Sequence, residues 1–372
     1  MNFKNMFEPK TVAIIGISSE NERHPANVIY NKLRLRHPVQ AFAVSPRGGF
    51  LQGEKIHPSV ADIPAKIDLA VIAVRAEQAA GVMEGCIQAG VGGAVVISGG
   101  FAESGRRDLQ DRLVDLARAA DFPFIGPNCL GIYSPGKLDT FFLPSERMMR
   151  PQSGNVAIVS QSGGVLVDQM VKFTEENIGL SLAVSIGNKA MVKELELLDY
   201  LSRDPGTDVI AFYIEGFGRN EGRYFVEAAS RATKPVIVLK AGKSPGGTRA
   251  ISSHTASLGG DYKVFSEILA QYGLVEAKNE FELISFCESL SHYRQTLKGK
   301  IGIVTISGGH GALAVDFCSE HGLSVPQFSP EFQEQLRAGL PDRLKTIAGL
   351  SNPVDLTGSG TDDDFVAVAA AL

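Results

Sequence analysis

Cysteine is scarce in this chain. The four present, Cys86, Cys129, Cys287 and Cys318, include no Cys-x-x-Cys pair. That excludes a thiolate zinc cluster and a disulfide scaffold, and it predicts a reduced, cytoplasmic setting. Long apolar runs are also missing. The longest, such as Phe365–Leu372, fall far short of the roughly 20 residues of a membrane span, so no membrane association is expected. No basic opening precedes an apolar stretch, so no secretory leader is expected. Basic runs are lacking too: 36 Lys and Arg against 41 Asp and Glu leave a net charge of −5, which argues against a general nucleic-acid binder. No His, Asp and Glu spacing reads as a metal site. Gly-x-Gly-x-x-Gly and the P-loop pattern are both absent.

What is abundant is glycine, 40 of 372 residues. Many of them close short β-branched runs. Thr11–Ile15, Ala41–Val44, Leu69–Val74, Gly93–Ile97 and Phe122–Ile125 read as strands, with helices over Pro25–Leu35, Ala76–Ala89 and Arg106–Ala120. Continuously apolar strands separated by helices imply a parallel sheet covered on both faces. Ligands of such sheets sit where strands end and helices begin.

Tyr133–Gly154, with Pro135, Pro144 and Pro151, has no period and reads as a connector. The alternation then restarts. Strands are expected at Asn155–Ser160, Leu180–Ser185, Val209–Tyr213 and Pro235–Lys240. Helices are expected at Gly164–Thr174, Glu194–Leu201, Tyr224–Arg231, Tyr262–Tyr272 and Phe281–His292, with a loop over Gly242–Gly260. A third unit opens at Lys300 with a strand at Ile301–Ile306 and a helix at Ala312–Glu320. One strand is too little for an independent parallel sheet, so this unit is expected to be cut short or to pair with another polypeptide.

Two segments point to chemistry. Ser160-Gln161-Ser162-Gly163-Gly164 follows a strand and opens a helix, where free N–H groups and the helix dipole favour an anion. A glycine turn chosen for packing would look the same. In Ser252-Ser253-His254-Thr255-Ala256-Ser257-Leu258-Gly259-Gly260, a histidine sits among small, hydroxylated residues instead of large apolar ones. Neutral imidazole is a competent nucleophile near pH 7. It needs an orienting carboxylate, and Glu215 lies at the end of a predicted strand. An exposed loop histidine is the plainer reading of His254 taken alone. Cys129 reads as a small buried residue in a tight turn.

These two segments, with Gly126-Pro127-Asn128-Cys129-Leu130-Gly131, resemble the nucleoside-diphosphate-forming acyl-CoA synthetases, the superfamily of succinyl-CoA synthetase. The α-subunit type of ADP-forming acetyl-CoA synthetase is the nearest pattern. Ser185-Ile186-Gly187-Asn188-Lys189 and Asn352-Pro353-Val354-Asp355-Leu356 fall in the same order, and the resemblance runs from about Phe7 to Gly358.

The resemblance implies an α/β protein: a Rossmann-like CoA-binding domain over 1–133, a connector over 134–154, a flavodoxin-like ligase domain over 155–295, and a truncated third ligase domain over 300–372. It implies a reaction through an acyl phosphate and a phosphohistidine that carries phosphate to ADP at a distant site. His254 would be phosphorylated and Glu215 would orient it, while Ser162, Gly163 and Gly164 hold phosphate. Gly16, Ile17, Ser18, Ser19, Arg47, Ser98, Gly99, Asn128 and Cys129 would contact coenzyme A. The acid would be a small carboxylic acid. ATP or ADP with Mg2+ would be held by an ATP-grasp β subunit or fused domain, in a hetero- or homo-oligomer. No segment here resembles that module. The pattern departs from the family at Ala26, Arg75, Met191 and Lys193. A different class remains open: a non-catalytic CoA-sensing or regulatory module, like the synthetase-like half of some protein acetyltransferases.

Overall fold

A computed structural model describes residues 3–254, 261–293 and 299–372; the side chains of 252–254 lie outside the described set. The chain divides into two compact units, Met1–Tyr293 and Arg294–Leu372.

The first unit is α/β and holds two seven-stranded sheets. The first sheet contains β1 (Thr11–Ile15), β2 (Gln40–Val44), β3 (Gly49–Leu51), β4 (Glu54–His57), β5 (Leu69–Ile72), β6 (Ala94–Val96) and β7 (Phe124–Ile125), in spatial order 3-4-2-1-5-6-7. All pairings are parallel except the β3–β4 hairpin. The order reverses beside β1, so the ends of β1 and β5 flank a crevice. Val12, Ile14, Leu69 and Val71 are fully buried, as strands covered by helices on both faces should be.

The second sheet contains β8 (Gly131–Ser134), β9 (Leu138–Asp139), β10 (Ser153–Ser160), β11 (Leu180–Ser185), β12 (Val209–Ile214), β13 (Val236–Lys240) and β14 (Val275–Ala277), in order 14-13-12-10-11-8-9. β10 to β14 run parallel, and β8 and β9 add antiparallel at one edge. The stretch expected as a connector therefore builds part of a sheet. Its strands are too short to show a period.

The loop expected over Gly242–Gly260 contains a helix, Pro245–His254. Gly246, Gly247, Ser252 and Ser253 hide it from a propensity reading. It is fastened by Thr248 Oγ1, which donates to Gly242 O at 3.1 Å, and by buried Ile251.

A buried ionic cluster ties the helix Pro25–Arg36 to the strand β9. Lys32 Nζ lies 2.7 Å from Asp139 Oδ1, and Arg150 Nε lies 2.5 Å from Oδ2. Asp139 is completely buried. Burial pushes the Lys32 ammonium down to about 8 against the pull of Asp139. Asp139→Ala would leave a buried ammonium and a half-buried guanidinium without their counter-ion. We expect it to cost about 3–5 kcal/mol, read from the midpoint of denaturant unfolding. Asp139→Asn, which keeps the shape, should cost less.

The second unit has a two-stranded parallel sheet, β15 (Val304–Thr305) and β16 (Val354–Asp355), over a core of Leu336, Leu344, Leu350, Leu356 and Val368. The strand expected at Ile301–Ile306 shortens to two residues because its pairing with β16 extends over two residues only.

Candidate functional site

The crevice beside β1 is a cavity of about 860 Å³. Its floor is the turn Gly16–Ile17, and its walls include Ser45, Ala73 and Arg75. Gly16 has φ +107°, and a Cβ there would lie 2.3 Å from the Ala73 carbonyl oxygen. Only glycine allows the two strand ends to approach so closely. His24 caps the helix Pro25–Arg36, its Nδ1 accepting from Ala26 N at 3.3 Å. Burial holds its imidazole pKa below the usual value, in the direction that favours the neutral form the cap needs. The volume suits one end of a large ligand.

Of the residues assigned above to coenzyme A, Gly16 and Ile17 line this cavity. Ser18 organises the loop above it: its N–H donates to Asn27 Oδ1 at 2.9 Å, and its Oγ accepts from Asn21 N at 3.0 Å. Ser19 is exposed. Arg47 reaches across to Glu20 at 3.2 Å, both largely exposed. Ser98, Gly99, Asn128 and Cys129 form a separate group at the ends of β6 and β7. Asn128 N donates to Ser98 O at 2.8 Å. The Cys129 thiol is buried against Val96 O at 3.3 Å, and burial pushes its pKa up. The Cys129 sulfur is therefore not open to a ligand. His24, Ser45, Arg75 and Gln78 also line the cavity, and no sequence motif marks them for it. The signal they do carry is position: each lies at a strand end or in a helix start.

The group around Asn128 meets the second sheet. Gly187 has φ +52°, and a Cβ there would lie 2.2 Å from Asn128 O. Asn188 N donates to Pro127 O at 2.9 Å, and Asn128 Nδ2 donates to Asn188 Oδ1 at 3.3 Å. Asn188 Nδ2 also donates to Glu103 Oε2 at 2.5 Å. Burial alone would raise the Glu103 pKa, but Asn188 and the N–H groups of Phe101 and Gly100 outweigh it and hold the carboxylate below the usual range.

Next to this contact lies a cavity of about 310 Å³, lined among others by Gln161, Asn188, Lys189, Lys193 and Glu215. Gln161 is buried and fastens three elements. Its Oε1 accepts from Glu215 N at 2.7 Å and Gly216 N at 3.1 Å. Its Nε2 donates to Gly216 O at 2.9 Å and to Glu194. Lys189 Nζ joins the same node, 2.9 Å from Glu194 Oε1 and 2.7 Å from Gly216 O. Glu215 is thereby fixed at the end of β12, in hydrogen-bond contact with Tyr213, whose pKa is raised first by burial and then by this carboxylate.

Ser162 caps the helix Gly163–Glu175, its Oγ accepting from Val165 N at 3.4 Å. Gly163 packs against Leu130, whereas a Cβ on Gly164 would meet nothing within 4 Å. Open space therefore stands over the first turn, where an anion would lie. His254 ends the helix Pro245–His254. Its imidazole, with residues 255–260, lies outside the described residues. Among the described residues, no cluster of three or more His, Cys, Asp or Glu suits a metal ion, and no helix is long and apolar enough to cross a membrane.

Known proteins share this arrangement. Residues 10–135 match the model of a CoA binding domain, and residues 153–290 match that of a succinyl-CoA ligase like flavodoxin domain. The α subunit of acetate–CoA ligase (ADP-forming) II from Pyrococcus furiosus is 35% identical over 98% of this chain and 78% of that subunit. The chain belongs to the ADP-forming acetate–CoA ligase family. Acetate–CoA ligase (ADP-forming) I from Archaeoglobus fulgidus is 37% identical over 97% of this chain and 52% of that protein. The chain thus spans about half the length of that relative. Among solved structures, the acetyl-coenzyme A synthetase 1 of Ca. Korarchaeum cryptofilum, in complex with phosphate and ADP, superposes with a TM-score of 0.88. It is 33% identical, over 100% of this chain and 79% of that one. The family membership agrees with the resemblance drawn from the sequence motifs, and the Rossmann-like and flavodoxin-like fold classes follow with it.

Proposed function

We propose that this chain is the CoA-binding, phosphohistidine-carrying component of an ADP-forming acyl-CoA synthetase: acid + CoA + ATP ⇌ acyl-CoA + ADP + phosphate. The observation that carries this reading is the convergence of Gln161, Glu215 and the capped helix at Ser162 on the strand ends of the second sheet, beside the helix that ends at His254. Residues 1–133 would hold CoA, 155–295 would carry the phosphoryl group, and 300–372 would form a third ligase domain.

In the thioester-consuming direction, phosphate attacks the acyl carbon of acyl-CoA, and the C–S bond breaks to give acyl phosphate and CoA. An imidazole nitrogen of His254 then takes the phosphoryl group as the P–O bond to the acyl oxygen breaks, releasing the carboxylate. ADP finally takes the phosphoryl group from the histidine. Glu215 would hold the second imidazole N–H, keeping one nitrogen free as nucleophile. Ser162, Gly163 and Gly164 would hold the phosphate oxygens at the helix N-terminus. Gly16, Ile17, Ser18, Ser19 and Arg47 would meet the nucleotide end of CoA, and Ser98, Gly99, Asn128 and Cys129 its thiol end. The nucleotide with Mg2+ would belong to an ATP-grasp subunit or fused domain, and the acid would be a small carboxylic acid. The four scattered cysteines fit a cytoplasmic setting.

The test is reconstitution. The chain, mixed with an ATP-grasp β subunit of this family, should release ADP and phosphate continuously when CoA, ATP and a short-chain acid are all present, and should yield no sustained release, only the stoichiometric ADP of His254 phosphorylation, when the acid or CoA is left out. A CoA-sensing module would bind CoA without that release.

Glu215→Gln keeps the shape and removes the charge. It should slow phosphorylation of His254 by about 100-fold or more, within the range for losing one member of an acid–base pair. Single-turnover measurement with the partner reads this directly, and CoA affinity should stay unchanged.

A further inference from the structure

A third cavity, of about 440 Å³, lies at the ends of β12 and β13. Its lining includes Val165, Tyr213, Lys240, Lys243, Lys278 and Glu280. Val165 stands in the first turn of the helix that Ser162 caps, so the cavity adjoins the proposed phosphate cradle.

Lys240 is the unusual group. Its residue is only 3% exposed. The ammonium donates to Glu215 O at 2.7 Å and to Ala241 O, both backbone carbonyls. Among the described residues it makes no ion pair with a carboxylate. An ammonium has three protons to donate, and two are used. A buried charge without a counter-ion is costly to maintain, and burial does lower the Lys240 pKa, with Glu215 opposing the shift. A residue of this kind fits a site that gains its counter-ion from a ligand.

The neighbouring charges agree. Lys243 Nζ donates to Lys278 O at 2.6 Å and lies 5.2 Å from the centre of the Tyr262 ring. It too makes no ion pair among the described residues. Lys278 is paired with Glu276, and Glu280 is paired with Lys172 at 2.7 Å. The carboxylate in the lining is therefore already matched, and two ammonium groups are left over.

We propose that this cavity is a phosphate site, in which Lys240 supplies the buried charge and Lys243 closes the rim. The proposal rests on the reading that the chain handles phosphate, and it names a cation for the neutral cradle of Ser162, Gly163 and Gly164. Lys240 would thus act on the phosphoryl group while its hydrogen bond to the Glu215 carbonyl holds the backbone of the carboxylate that orients His254.

The test is titration of the chain with inorganic phosphate, followed by calorimetry, beside titration with CoA. Lys240→Met should weaken phosphate binding tenfold or more, and Lys243→Ala threefold or more, with CoA affinity unchanged in both. Should Lys240→Met fail to fold, Lys243→Ala carries the test alone. Phosphate affinity unchanged in the folded variants would overturn the proposal. So would wild-type protein that binds CoA but no phosphate at millimolar concentration. Loss of phosphate binding in Ser162→Ala but in neither lysine variant would place the anion at the helix alone, and would also overturn it. The underlying reading fails separately, if a competent ATP-grasp partner forms no phosphohistidine on this chain.

Discussion

His254→Ala should abolish ATP-dependent thioester formation, with turnover at least 10,000-fold below wild type, while CoA affinity stays within twofold. A nucleophile that forms a covalent intermediate has no substitute when the side chain is removed. His310 and His321 lie in the other compact unit, His24, His37 and His57 belong to the first sheet and its helices, and His292 ends the helix Glu280–His292 with its Nδ1 at 2.9 Å from Glu288 O. CoA binding is proposed for the crevice beside β1, whose lining comes from residues 15–89. Calorimetry with CoA and a coupled ADP-release assay on the same preparation separate the two quantities. Loss of CoA binding along with turnover would show that the variant had damaged the fold.

The second large effect is expected at Gly16. Gly16→Ala places a methyl group 2.3 Å from the Ala73 carbonyl oxygen, at φ +107°. Neither strand end can yield freely. Gly16 N donates to Val44 O at 3.0 Å, and Ala73 N donates to Ile15 O at 2.9 Å, so both are pinned by the sheet. Relief has to come from parting β1 and β5, whose ends carry Gly16 and Ala73 into the lining of the 860 Å³ cavity. We expect CoA affinity to fall at least 100-fold and stability to fall by about 2–4 kcal/mol, from backbone strain plus overpacking. Gly164→Ala is the contrast, because a Cβ there meets nothing within 4 Å. It should fold normally and retain CoA binding, while phosphate handling weakens, because the methyl group would stand in the space assigned to the anion.

The parallel strands are legible in the sequence because burial on both faces leaves an unbroken apolar run. Thr11–Ile15 and Leu180–Ser185 have the same limits in the pattern and in the fold. Edge elements are not legible. The β3–β4 hairpin, Gly49–Leu51 and Glu54–His57, is short and half polar, and β8 and β9 hold four and two residues. Such strands exist because a sheet edge is there to receive them, which is tertiary information. The helix Pro245–His254 is hidden for a related reason: four of its ten residues are glycine or serine, and it is positioned by its contact with Gly242, just after β13.

The site shows the same division. Strand-end positions in the sequence are enough to mark Ser162 and Glu215. Lys189 carries no such mark, and Lys240, although it ends an expected strand, is not marked by its residue type. Lysine in sequence reads as solvated surface, and only the fold shows Lys240 buried on two carbonyls and Lys189 locked between Glu194 and Gly216. In the sequence Gln161 is one residue of a glycine turn. Its work, holding the Glu215–Gly216 backbone from the neighbouring strand, depends on the pairing of β10 with β12.

The most direct test is chemical. The chain would be incubated with ATP, Mg2+ and an ATP-grasp β subunit of the family, then digested under alkaline conditions and mapped by mass spectrometry. One acid-labile, alkali-stable phosphate is expected on the peptide containing His254, lost on addition of ADP and absent from His254→Ala. No phosphate on that peptide, with the partner shown to bind both ATP and this chain, would contradict the phosphohistidine relay and leave a CoA-binding module in its place.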